Sequence, residues 1–339
     1  VGFALIYLYY YHGGDTTNYY ESSLPFVHLF WENPIDFFRV YFGGGTAELR
    51  SLFSHDTGYP MGTYFFNDHT RAMVKVVVPF LMISGKSYFI CTLWFSFFTF
   101  LALWKVYEVF LDYFPHVSRK LAIGVLFMPS VAFWGSGILK DSVSLAATCF
   151  FVASVNEIIL KRSSAFWRIT RLVISGFLII VIKPYILIIL LPGTMIWFFY
   201  ARIKNIKNAY FRTVIVPFTY IFILVGSYSI LTSLGDRLGK FAPGKALQTA
   251  VVTQHDLKQE YYGGNSFDIG DFEPTYASLA SKVPAASTAG LFRPFLWESN
   301  NVVMLLSALE NTFMLVMTLL VIIGVKWNRM RRLISDYPI

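Results

Sequence analysis

The run from Tyr88 to Trp104 carries no charged side chain, and the run from Val302 to Val325 carries one acidic residue, Glu310. A helix that is apolar on every face has no side to offer to water, so runs of this kind belong in a core or in a bilayer, where the helix also satisfies its own backbone polar groups. Composition decides for the bilayer: 55% of the 339 residues are hydrophobic and 14% are charged, against roughly 25% charged in soluble proteins. The same balance excludes a disordered chain, a collagen-like chain and a soluble nucleic-acid binder. Cys91 and Cys149 both sit inside apolar runs, as core or lipid-facing residues, so the sequence offers no disulfide framework and no metal-thiolate site.

Apolar runs fall at about 87–108, 121–138, 142–160, 166–183, 184–201, 213–233 and 302–325, and with Val1 to Tyr11 they make eight candidate spans. The first is too short for a crossing of about 20 helical residues, so further residues are expected ahead of Val1. The 166–201 stretch is divided at Lys183-Pro184, because proline removes a backbone donor and disfavours helix in the residue before it. The expected fold is thus an all-α polytopic membrane protein, a single membrane domain over 1–339 with about eight transmembrane helices. Two large extracytoplasmic loops, 12–70 and 235–300, complete it.

Charge supplies the orientation. Arg119 and Lys120, then Lys161, Arg162, Arg168 and Arg171, then Arg202, Lys204, Lys207 and Arg212, then Lys326, Arg329, Arg331 and Arg332 make 14 of the 28 basic residues. With eight spans all four clusters lie on one side, which the positive-inside rule makes cytoplasmic. The first outer loop is acidic, with Asp15, Glu21, Glu32, Asp36, Glu48, Asp56 and Asp68 against Arg39 and Arg50. Its aromatic stretches, such as Phe26 to Phe42, predict amphipathic helices lying in the interface. Met73 to Ser84, apolar but short and carrying Lys75 and Pro79, predicts a helix dipping into the outer interface. The second loop reads as irregular structure.

No phosphate-binding loop or dinucleotide fingerprint occurs, so an activated substrate should arrive from the membrane itself. The stretch Tyr9-Tyr10-Tyr11-His12-Gly13-Gly14-Asp15 places a carboxylate just past the outer end of the first span. Here the chain resembles the GT-C superfamily of polytopic glycosyltransferases, which take sugars from polyprenyl-phosphate carriers and keep an essential Asp in the first outer loop. The resemblance implies that Asp15 serves as general base for an acceptor hydroxyl, with Gly13 and Gly14 bending the backbone beneath it. The plainer alternative is a cap for a helix beginning near Thr17. Pro129 to Ser142 forms the next outer turn, where many GT-C members carry an acidic residue. Asp141 occupies that place, and Lys140 beside it suits a lipid-linked phosphate, or else Asp141 or Ser142 caps the following helix while Lys140 reaches to headgroups.

Leu291 to Asn300 contains Arg293-Pro294-Phe295-Leu296-Trp297-Glu298, which resembles an element of bacterial polysaccharide-assembly membrane proteins. Arg293 suits a phosphate, Trp297 a sugar or an isoprenoid, and Glu298 completes the group. An aromatic belt with an Arg–Glu pair is the alternative. Glu310 lies within the last span, where a carboxylate is costly unless it faces protein or water. Its alternative is a structural hydrogen bond, shared with Asn311. Lys183 is either a phosphate ligand or an interfacial anchor. Four histidines, His12, His28, His55 and His69, fall in the first loop, and some GT-C enzymes use a divalent metal, but the spacings match no recognised motif and no metal ligand is assigned.

Taken together, the resemblance implies a bacterial inner-membrane glycosyltransferase acting on the periplasmic face, with a polyprenyl-phosphate-linked sugar as donor and a glycan or protein as acceptor. Many members pair two acidic residues in the first loop, whereas Asp15 here is followed by Thr16-Thr17. Two other classes stay open: a non-catalytic GT-C-like membrane subunit that docks a partner protein through its outer loops, and a transporter for a lipid-linked substrate. No internal repeat of the kind common in transporters is present.

Overall fold

The computed structural model describes residues 2–160, 164–203, 245–258 and 268–325, with a few single positions between 218 and 233. The expected span at 213–233 lies largely outside the described residues, and the last basic cluster lies wholly outside them. Every regular element among the described residues is helical, and the chain divides into two compact units, Val1–Leu187 and Ile188–Ile339.

The first unit opens with α1 (Gly2–Leu5), continued by a π-helical turn (Ile6–Tyr10), and then α2 (Asp15–Glu32), α3 (Pro34–Phe42), α4 (Ala47–Arg50), α5 (Gly62–Phe66) and α6 (Asp68–Ile83). It continues with α7 (Tyr88–Tyr113), α8 (Ser118–Leu126), α9 (Pro129–Trp134), α10 (Lys140–Ile159) and α11 (Ala165–Ile182). α12 (Pro184–Ile203) starts in this unit and passes into the second, which holds α13 (Ala246–Leu257), α14 (Tyr276–Phe292) and α15 (Val302–Gly324). Four of these helices, α7, α10, α11 and α15, are long and apolar enough to cross a membrane. The chain is accordingly a multi-pass membrane protein.

Two proline positions shape the long runs differently. Lys183, with φ −141° and ψ 75°, ends α11, and Pro184 opens α12. The run 121–138, expected as one crossing, is instead two short helices. Pro129 requires an extended residue before it, and Met128 with φ −66° and ψ 125° supplies one, so α8 stops short and α9 restarts.

The segment 12–70 also differs from the expected set of interfacial helices. α2 packs along α6, and Phe26, Phe65, Met73, Val77 and Leu81 are almost fully buried in the main core. The aromatic residues of this segment split between two tasks: Phe26 and Phe37 face that core, while Trp31, Phe38 and Phe42 stay exposed along α3 and the end of α2. α6 therefore has a full protein partner on one side, and it also touches α7 and α11.

The spanning group of this unit is α7 and α11 on either side of α10. α10 buries Ser142, Ser144, Ala147, Ala153 and Ser154, small residues that let backbones approach where lipid supplies no hydrophobic drive. Lys183 and Asp141 mark one end of the α10–α11 pair, and Arg171 with Glu157 marks the other. Along α10 these ends are roughly 24 Å apart by helical rise.

Candidate functional site

Backbone geometry at the start of α2 sets the position of Asp15. Gly13 and Gly14 adopt φ of 123° and 138°, a region open to glycine, and a Cβ on Gly14 would crowd the ring of Tyr7. Gly14, not Asp15, is the N-cap. Its N–H donates to Thr17 Oγ1 at 3.0 Å, and the Thr17 hydroxyl donates back to Gly14 O at 2.8 Å. The capping work is thus done by Gly14 and Thr17, and Asp15 is the first residue of the helix with its carboxylate available for other use. Tyr64 OH donates to Asp15 Oδ1 at 2.7 Å, and Asn18 Nδ2 donates to Tyr64 OH at 3.2 Å. Tyr64 itself is held edge-on against Tyr19, with ring centroids 4.9 Å apart.

Asp141 is likewise not a cap. α10 begins at Lys140 after Leu139, which makes no side-chain cap, and the Ser142 hydroxyl is shared between Gly137 O at 2.7 Å and Trp134 O at 2.8 Å. Those bonds close the turn that carries Lys140 and Asp141 outward. Ser96 Oγ braces the turn from α7 by donating to Ser136 O at 3.0 Å, and the Phe3 ring lies where a Cβ on Gly137 would stand. From this support Asp141 Oδ1 accepts from Lys183 Nζ at 2.6 Å. Burial alone would lower the pKa of the Lys183 ammonium, but the hydrogen bond and charge of Asp141, with help from Tyr185, hold it above the ordinary lysine value.

Tyr19 joins the two carboxylates. It is 2% exposed, and burial pushes its phenol far above the ordinary range, with Asp15, Tyr64 and Asp141 adding in the same direction. Lys140 Nζ lies 6.0 Å from the Tyr19 ring centroid, within cation–π reach. Asp15, Asp141, Lys140 and Lys183 are therefore gathered in one neighbourhood around a buried phenol.

Two grooves adjoin this neighbourhood. The first, about 600 Å³, is an open, mixed trough in which Val131, Trp134, Leu145 and Ile186 stand beside Ser130, Ser144, Thr148 and the Asp141–Lys183 pair. The second, about 370 Å³, is almost wholly apolar and is walled by α6, α7, α10 and α11, with Phe80, Phe95, Phe98, Ala147 and Ile174 among its residues. Consecutive residues of α10, Asp141 and Ser142, line the first and the second groove respectively.

No protein-family model, curated protein or solved structure matches this chain. The chemistry of the site is therefore argued from its own side chains.

The other sequence-predicted residues lie in the second unit. Arg293 is held by Glu298 through two points, Nε to Oε2 at 3.1 Å and Nη2 to Oε1, and Phe295 N–H donates to Glu298 Oε2 at 2.9 Å. The Arg293 hydrogen bond, and then the Phe295 N–H and the Arg293 charge, keep the Glu298 carboxyl below its usual pKa against the opposing effect of burial. Trp297 stacks on Phe295, with centroids 4.8 Å apart. Asn311, on α15, donates to the Arg293 carbonyl at 2.7 Å, a structural hydrogen bond of the kind foreseen at this level of the helix. Glu310 is half-buried on α15.

Among the described residues no group of three or more His, Cys, Asp and Glu is gathered as a metal shell. His28 Nδ1 lies 3.1 Å from Thr57 O, and His69 Nδ1 lies 2.8 Å from Val181 O, so both rings serve as backbone ties. Sequence reasoning missed Tyr64, Asn18 and Tyr19, because Tyr64 meets Asp15 across 49 positions and no local spacing marks it among 21 tyrosines.

Proposed function

We propose that this protein is a membrane glycosyltransferase of the GT-C type, transferring a sugar from a polyprenyl-phosphate carrier to an acceptor hydroxyl at the face that bears Asp15 and Asp141. One observation carries the reading: neither carboxylate is spent on capping its helix, and both bear on the same buried Tyr19. An exposed carboxylate aimed by a phenol is suited to receive a proton from an acceptor as its oxygen attacks the anomeric carbon. The bond from that carbon to the carrier phosphate breaks in the same displacement, and the configuration inverts. Lys140 and the Asp141–Lys183 pair supply the cationic side, Lys183 sharing its ammonium between Asp141 and an arriving phosphate. The adjacent apolar groove supports the same reading, since it offers an isoprenoid chain a dry wall next to the trough that holds Asp141 and Lys183. In this reading the working face is the periplasmic face of a bacterial inner membrane.

The test is Asp15→Asn, which keeps shape and removes the basic oxygen. Glycan transfer should fall roughly 10²–10⁴-fold with insertion and protein level unchanged. Transfer equal to that of the parent would sink the proposal and leave the docking subunit as the better description.

A further inference from the structure

The second unit contains a pocket of about 450 Å³ bordered by Asp268, Thr288, Arg293, Phe295, Trp297 and Glu298, a volume inside the usual small-molecule range of about 300–1,000 Å³. Three features of it limit what it can hold. Its aromatic wall is the stacked pair Phe295 and Trp297, and Trp297 is 80% exposed despite being the largest apolar side chain present. An exposed indole, braced from behind by a second ring, is a preformed flat surface. The rest of the wall mixes Ile269, Pro284, Ala285 and Ala289 with Asp268, Thr288, Arg293 and Glu298, and an isoprenoid or acyl chain laid there would strip water from two carboxylates, a guanidinium and a hydroxyl without replacing it. Finally, the two cations at the site are already matched: Arg293 by Glu298 in two-point contact, and Lys258 by Asp268 at 3.0 Å and Asp271 at 2.7 Å. A phosphate arriving there would also be repelled by the Asp268 and Glu298 carboxylates on the same wall.

We infer that this pocket binds a neutral saccharide, its pyranose C–H face on Trp297 and its hydroxyls on Asp268, Thr288 and the Arg293–Glu298 pair. A sugar ring has the required division, one weakly polar face and a rim of groups that both donate and accept. Carboxylate oxygens accept from such hydroxyls and guanidinium N–H groups donate to them. Arg293 then acts by hydrogen bonding to sugar oxygen, in contrast to the phosphate role that the sequence alone suggests. Glu298 fixes the guanidinium plane, and Asn311 fixes the backbone beneath it. The inference does not depend on the transferase chemistry at Asp15, and it applies equally to a docking subunit that recognises glycan.

The experiment uses the full chain in nanodiscs and saturation-transfer NMR with three probes: a panel of neutral oligosaccharides of hexose and N-acetylhexosamine, inorganic phosphate, and farnesyl phosphate. At least one neutral oligosaccharide should bind, and Trp297→Ala should weaken it by at least about tenfold while Trp297→Phe keeps part of the affinity. Asp268→Asn should weaken the same probe, and Asp15→Asn should leave it unchanged, which separates this pocket from the proposed reaction centre. Because Trp297 is exposed, its removal leaves packing in place, and an unchanged unfolding midpoint verifies that. Saccharide binding that ignores Trp297, no saccharide binding across the panel, or a Trp297 effect confined to farnesyl phosphate or phosphate would each overturn the inference.

Discussion

Tyr64 donates its phenolic hydrogen to Asp15 at 2.7 Å, and Asn18, one turn along α2 from Asp15, donates to the same phenol at 3.2 Å. This short relay gives the Asp15 carboxylate a fixed orientation although the side chain is exposed. Hydrogen bonds to charged groups are worth about 1.5–3 kcal/mol, and exposure argues for the lower end, so Tyr64→Phe should reduce glycan transfer about tenfold. In an Asp15→Asn background the same change should add almost nothing, because the group it orients has lost its function. Fully additive losses in that double-mutant cycle, measured by transfer at matched protein levels, would show Tyr64 acting through packing.

The part of this arrangement legible in the sequence is the part written locally. Long apolar runs marked α7 and α15, and Lys183-Pro184 marked the break between α11 and α12 because a proline acts on its immediate neighbour. Asp15 and Asp141 stood out as carboxylates at the ends of apolar runs. What lay beyond reach was long-range. Phe26 and Phe38 belong to the same aromatic stretch, yet one is buried under α6 and the other faces outward, and only the partner helix decides which. The pairing of Asp141 with Lys183 spans 42 positions, so a carboxylate foreseen as catalytic and a lysine foreseen as a phosphate ligand are in fact paired with each other.

The glycine triplet Gly43-Gly44-Gly45 supplies a steric test of the α2–α6 core. A Cβ on Gly45 would lie 2.5 Å from Phe65 O and would also collide with Arg71 Nη1, whereas a Cβ on Gly44 meets nothing within 4 Å. Arg71 is buried and donates to Phe65 O at 2.9 Å, so it has little room to yield. Gly45→Ala should cost about 1–3 kcal/mol, the usual range for overpacking, and Gly44→Ala should be close to neutral. Unfolding midpoints of the two variants in detergent, compared with the parent, check the contrast. Equal midpoints would mean that the loop can shift away from α6.

Lys183 predicts a dependence on alkaline pH. Its folded-state pKa lies above the ordinary 10.5, with Asp141 outweighing burial. A raised lysine contributes stability that is complete below the unfolded pKa and is lost as pH climbs through the folded one. The parent should therefore be more stable than Lys183→Met at pH 8, and the gap should narrow above about pH 10.5. Asp141→Asn should flatten the same difference, since it removes the charge that raises Lys183. A gap between parent and Lys183→Met that stays constant from pH 8 to pH 11 would mean that the contact is held by packing and not by charge.

Orientation can be read from the two ends of the α10–α11 pair. Asp141 and Lys183 close one end, and the tie from His69 to Val181 O fixes the α2–α6 layer, including exposed His55, near that end. Ser164 lies at the opposite end, beside Arg168 and Arg171, whose guanidiniums reach Glu157 O and the Glu157 carboxylate. Short basic turns stay cytoplasmic, so the Ser164 end should face inward and the His55 end outward. The native Cys91 and Cys149 are buried, which keeps background labelling low. In intact cells a membrane-impermeant maleimide should modify a cysteine introduced by His55→Cys and spare one introduced by Ser164→Cys, with both modified after permeabilisation. The reverse pattern would turn Asp15 and Asp141 toward the cytoplasm, and transfer from a carrier on the outer leaflet would no longer be open to them.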